Sequence, residues 1–85
     1  MIESEMVNGW RNRSTWNIAL WIENDEPLYL SALDYKSRCA VKKIRPSYYG
    51  FVKYASLIGE KTPDGYRYDS AKLDYRALSE MIREL

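Results

Sequence analysis

All three tryptophans of the chain fall between positions 10 and 21, in a block rich in amides: Asn8-Gly9-Trp10-Arg11-Asn12-Arg13-Ser14-Thr15-Trp16-Asn17-Ile18-Ala19-Leu20-Trp21. From Trp16 to Ile22 the segment is apolar almost all the way round, interrupted only by Asn17. Surface of that kind leaves water on folding. The block is therefore expected to be a first helix at the centre of the fold, with Trp16 and Trp21 in its interior. Trp16, Ala19 and Leu20 form one expected face, and Ile18, Trp21 and Ile22 the neighbouring one. A buried amide without partners costs about 1–3 kcal/mol. Asn17 is accordingly expected to bond to the backbone of a loop and hold it against the helix.

Capping and turn residues divide the rest. Asn8-Gly9 signals a turn in an irregular leader over 1–9. Asn12 or Ser14 can cap helix one, which runs to about Asn24. Asp25 or Glu26 caps a second helix, with Pro27 in its first turn, where a missing N–H costs nothing. That helix reaches Cys39 or Ala40 and buries Leu28, Ala32, Tyr35 and Cys39 at helical spacing. After a basic connector, Val41 to Arg45, Pro46 suits the start of a third helix running to about Ile58. Tyr48, Phe51, Val52, Ala55 and Ile58 are its expected stripe, Gly50 its weak point, permitting a close backbone approach, and Gly59 its C-cap. Thr62-Pro63-Asp64-Gly65 is a turn within the longest loop, and Tyr66-Arg67-Tyr68 alternates as a short extended piece. Asp74 caps a last helix to Leu85, with Leu78, Met81, Ile82 and Leu85 inward. The expectation is an all-α, compact four-helix single domain over 1–85, with one long loop before the last helix.

The composition narrows the chemistry. There is no histidine and one cysteine, Cys39, expected as a buried thiol. A disulfide within the chain, a Cys–His pair and a Cys/His zinc site all need more than that. Glu23-Asn24-Asp25-Glu26 is conceivable as a carboxylate site for Mg²⁺ or Ca²⁺, but reads more simply as a helix junction. No phosphate-binding glycine pattern occurs. We expect no enzyme, metal or cofactor. Met1 to Val7 carries Glu3 and Glu5 and lacks the apolar centre of a signal peptide, and no run is long enough to span a membrane. A cytoplasmic protein without membrane contact is expected.

Net charge is only +1, yet Tyr35 to Gly59 contains no Asp or Glu. Lys36, Arg38, Lys42, Lys43, Arg45 and Lys53 all fall there, with Tyr48, Tyr49 and Tyr54 interleaved. Cations beside rings suit nucleic acid, through phosphates and base stacking. They also suit an acidic protein surface. A solvated connector between helices is the third reading. Ser47 or the amides after Pro46 offer a further anion contact. Trp10 with Arg11 and Arg13 is either an exposed anchor or a lid folded over the core. The last helix is a candidate for homodimerisation, because a small core gains from it.

The block Asn8-Gly9-Trp10, Asn12, Thr15-Trp16-Asn17, Ala19-Leu20-Trp21 and Asn24-Asp25-Glu26 resembles a family of small, largely uncharacterised proteins of bacteriophages and some bacteria, notably cyanobacteria. The stretch from Thr62-Pro63-Asp64-Gly65 through Leu73-Asp74-Tyr75 is similar to the family's C-terminal part. Family members often carry an aromatic residue where Arg13 stands, so a packing role does not transfer to that position. The resemblance implies a phage-type accessory protein in a bacterial host's cytoplasm. Such proteins bind and redirect a host protein or nucleoprotein complex, defence systems such as CRISPR effectors included.

Overall fold

The computed structural model describes residues 6–85. Four helices follow in order: α1 (Arg13–Asn24), α2 (Glu26–Lys42), α3 (Tyr48–Tyr54) and α4 (Tyr75–Glu84). Each begins on a residue whose side chain accepts a backbone N–H of the first turn. Asn12 accepts from Thr15, Asp25 from Leu28, Ser47 from Gly50 and Asp74 from Ala77. Among the described residues no helix is long and apolar enough to cross a membrane.

The leader is not wholly irregular. Residues 1–5 lie outside the described residues, but Val7 and Trp10 exchange backbone hydrogen bonds of 2.7 and 2.9 Å across Asn8-Gly9. Both turn residues have positive φ, 51° and 89°. That is the conformation for which Asn-Gly is favoured in a tight hairpin. The hairpin folds Trp10 back against the core, so the lid reading holds.

The core consists of Ile18, Ala19 and Ile22 from α1, Ala32, Tyr35 and Cys39 from α2, Tyr48, Phe51 and Val52 from α3, and Leu78, Met81 and Ile82 from α4, closed by Tyr68 and Leu73. Trp16 and Trp21 are absent from it. Both are half-buried, and Leu20 is exposed. The expectation of an indole interior is therefore corrected. The reason is helical phase: at 3.6 residues per turn, Thr15, Ile18, Ala19 and Ile22 share one face. Trp16 falls beside that face and lies under the Arg13 guanidinium at 5.9 Å.

Asn17 points to the far side of α1 from that stripe, yet it is 97% removed from solvent by the loop ahead of α4. Its amide donates to the Asp64 carboxylate at 2.8 Å, and its carbonyl accepts from the Thr62 hydroxyl at 2.8 Å. The partners are loop side chains rather than loop backbone. The Trp21 indole N–H donates to the same Asp64 oxygen at 2.8 Å. Further along, Asn12 donates to the Lys72 carbonyl, Arg11 to Asp74, and the Asp74 N–H to Thr15 Oγ1. The distinctive block thus stitches the whole loop onto α1. The Thr62–Gly65 turn closes as expected, and Lys61 and Arg67 form an isolated bridge beside it.

Helix three is shorter than expected. It stops at Tyr54, because Ser56 takes the left-handed conformation (φ 60°) and Leu57 N–H bonds back to Val52. Leu57 packs on the core, and Ile58 points to solvent. Gly59 has positive φ but belongs to the following turn. Gly50 does permit a close approach, by a side chain: a Cβ there would collide with the Tyr35 hydroxyl. The stripe of α4, Leu78, Met81 and Ile82, is buried within the single copy, and Arg76, Glu80 and Glu84 are exposed.

Asn17→Ala should cost about 1–3 kcal/mol, since it strips partners from buried Thr62 and from Asp64. At about 4–8 °C per kcal/mol for a domain of this size, calorimetry reads that as a clear fall in Tm. An unchanged Tm would show that the clasp holds nothing. The hydrogen bonds from Asn17 and then Trp21 keep the Asp64 carboxyl below its ordinary value of 3.8. Its stabilisation is complete above that value and lost as pH falls through the lower folded one. Tryptophan emission should therefore show an acid transition below pH 3.8 that Asp64→Asn lacks; identical titrations would contradict this.

Candidate interaction surface

The end of α2 builds the surface. Lys43 adopts φ 59°, its N–H bonds to the Ala40 carbonyl at 3.1 Å, and Ile44 N–H reaches back to Cys39 at 2.8 Å. This pair of bonds is a Schellman cap, which brings the residue after the left-handed position against the last helical turn. Ile44 is thereby folded over Cys39. Together with Tyr35, Arg38, Lys42 and Tyr54 they line a hollow of about 290 Å³. A second hollow, about 260 Å³, lies between Asp34, Ser37, Arg38, Val41 and Lys42. Arg38 and Lys42 belong to both.

The turn that follows is pinned from three sides. Arg83 Nε donates to the Pro46 carbonyl at 2.7 Å, Ser47 N–H to the Tyr35 hydroxyl at 3.1 Å, and Tyr48 N–H to Ser79 Oγ at 2.8 Å. Ser47 Oγ is occupied in capping α3, so it is not free for the anion contact expected of it.

The nine residues singled out for binding separate into three groups and two single cases, Lys36 and Tyr48. Lys42, Lys43 and Arg45 are exposed, with no carboxylate partner among the described residues. Tyr49 and Lys53 are exposed together on α3, the Lys53 ammonium 5.2 Å from the ring centroid. Arg38 and Tyr54 are exposed but engaged: both donate to Asp34, and the Arg38 guanidinium lies 5.7 Å from the Tyr54 ring centroid. The hydrogen bond from Tyr54, then that from Arg38, holds the Asp34 carboxyl below its ordinary value, and the same bond raises Tyr54. Lys36 is half-buried and donates to the Leu85 carbonyl at 2.5 Å, so it braces α2 against the end of α4.

Tyr48 is a correction. It is 0% exposed, its hydroxyl donates to the Tyr68 carbonyl at 2.6 Å, and Tyr75 meets its ring edge-on at 5.4 Å. Burial pushes its phenol far up, so it stays protonated. It is a core residue, not a contact for a partner. Sequence reasoning also missed Asp34, Val41 and Ile44. Val41 is 82% and Ile44 55% exposed. Their signal was an aliphatic set among cations, in Val41-Lys42-Lys43-Ile44-Arg45.

A family profile matches residues 3–85, nearly the whole chain. The chain belongs to that family, DUF7249, a family of unknown function. No curated protein and no solved structure matches it. Membership assigns no chemistry, so the surface is read from its own residues. Among those described, no group of three or more His, Cys, Asp and Glu side chains is placed to hold a metal ion. In the Glu23–Glu26 stretch, Asp25 is engaged as the cap of α2.

Lys43 sits where glycine is favoured. Left-handed backbone costs a residue with a Cβ about 1–2 kcal/mol, partly offset by the greater freedom glycine has when unfolded. Lys43→Gly should therefore stabilise the domain by about 0.5–1 kcal/mol. Denaturant midpoints check this, and a lower midpoint would mean that the lysine side chain stabilises the cap.

Proposed function

We propose that the chain is a small, non-enzymatic binding module of phage type. It acts in the bacterial cytoplasm by covering an acidic surface of a host protein or nucleoprotein complex, with a defence complex such as a CRISPR effector as one such target. The observation that carries this reading is the turn at 41–45. Three cations without carboxylate partners among the described residues stand there beside two exposed aliphatic side chains. Cations steer an acidic surface into contact and aliphatics then give it apolar area.

Tyr49 and Lys53 favour a second reading, direct binding of nucleic acid. An exposed ring with an ammonium beside it can stack a base and hold its phosphate.

Capture from host lysate distinguishes them. The test compares the native chain with Lys42→Glu, Lys43→Glu and Arg45→Glu combined, each with and without nuclease and across a salt series. An acidic protein partner is retained after nuclease and lost with the charge reversal. Nucleic acid is lost with nuclease, and its binding falls log-linearly with salt. Equal capture by both forms of the chain would remove the turn from the hypothesis.

A further inference from the structure

Charge alone does not account for the shape of this surface. A phosphate-binding or purely ionic surface has no use for apolar hollows, yet two open on either side of the Arg38–Lys42 ridge. At about 300 Å³ and below, such spaces are at the small end of ligand cavities and suit single side chains. The hollow under Ile44 is preformed. The Schellman bond from Ile44 fixes one wall. The hydrogen bond from Tyr54 to Asp34, with Arg38 bonded to the same carboxylate at 3.0 Å, fixes the opposite one. A wall held before the partner arrives loses little freedom on binding.

The charges have an equally definite arrangement. Asp34 already neutralises Arg38. The cations left for a partner's carboxylates are Lys42, at the mouth of the hollow, and Lys43 and Arg45 on the turn around Ile44.

We propose that this surface takes an acidic amphipathic peptide segment of a partner protein. One apolar side chain enters the hollow lined by Tyr35, Cys39, Ile44 and Tyr54, and flanking carboxylates meet Lys42, Lys43 and Arg45. The inference rests on the reading of the turn as a site for acidic protein. It adds that the bound element is a local segment with an apolar anchor, not a diffuse acidic surface. Arg38 is a positioning residue: it holds Asp34 and Tyr54 in place and leaves the ion pairs to its neighbours.

The test uses the full chain and three probes followed by amide NMR titration: a ten-residue peptide of glutamates around one central leucine, the same peptide with serine for leucine, and a ten-nucleotide thymidine strand. Full burial of a leucine corresponds to roughly tenfold or more in affinity. The leucine peptide should therefore bind at least about tenfold more tightly than the serine peptide. Its largest shifts should fall at Cys39, Ile44 and Tyr54. Ile44→Ser, at an exposed position, should erase the leucine advantage, so that the two peptides bind the variant equally; an advantage kept at tenfold would overturn the anchor. Equal affinities of the native chain for the two peptides would overturn it too. If both were then weakened by the charge reversal at 42, 43 and 45, the broader reading would survive without it. Shifts centred on Trp16 and Leu20 would also overturn it. Binding of the thymidine strand with neither peptide bound would overturn both readings together.

Discussion

The side-chain amide of Asn17 ties the long loop to α1. It lies on the side of α1 away from the core, where a helix of this kind ordinarily meets water, and it is satisfied there by Thr62 and Asp64. Through it the long loop is held against α1, and the consequences run onward. The loop carries Tyr68, whose carbonyl accepts the hydroxyl of buried Tyr48. Tyr48 opens α3, and α3 presents Tyr54, a wall of the hollow beside the cationic turn. The loop's end supplies Asp74, the cap of α4, whose Arg83 pins Pro46. A residue on the first helix thus helps to place the interaction surface on the second and third. The dependence is strong because a buried amide has no acceptable alternative: in this position it is either paired or destabilising.

That network explains which parts of the fold were legible in the sequence. Caps and turns announce themselves locally. Asn12, Asp25 and Asp74 carry side chains that satisfy helix N-termini, Pro27 suits a first turn, and Thr62–Gly65 has the residues its backbone requires. Helix order, the buried Cys39 and the stripes of α2 and α4 followed from the same local signals. What failed was the inference from indole bulk, whereas Tyr35, Tyr48 and Phe51, placed by helical spacing, are core. Trp16 and Trp21 looked like core because they are large and apolar, but helical phase gives the interior to Ile18, Ala19 and Ile22. Trp21 is half-buried because its N–H serves Asp64. The tail of α3 was misjudged because a serine, not the nearby glycine, takes the left-handed position, and sequence favours glycine there.

The candidate surface was legible only as charge. The acid-free stretch picked out Lys42, Lys43 and Arg45 correctly as exposed cations, but it carried Tyr48 along with them. Helical spacing separates the two rings: it places Tyr48, with Phe51 and Val52, in the apolar stripe of α3 and leaves Tyr49 outside it, whereas the acid-free stretch counts both alike. The hollow was out of reach for a different reason. It is made by Ile44 folding back over Cys39, a consequence of a backbone bond between residues five apart, and by Tyr54 held to Asp34 across two helices.

The distribution of charge gives this surface a direction as well as a chemistry. A groove between the leader, α1 and α4 is lined by Trp10 and Met81 with Glu23, Glu80 and Glu84. Lys42, Lys43, Arg45 and Lys53 stand elsewhere, at the end of α2 and on α3, while Arg11, Arg13, Lys61, Arg67, Lys72 and Arg76 are exposed as well. A net charge of +1 carries no information about where on the surface these groups stand. Fields from such patches act over a Debye length, about 8–10 Å at ordinary salt; on the proposed reading, an acidic partner would be drawn toward the turn at 41–45 rather than toward the glutamate groove. Orientation then precedes contact. On the proposed reading, a domain with only a small core would select one face for binding without a large rigid interface, and Val41 and Ile44 would add apolar contact once a partner had been turned toward them.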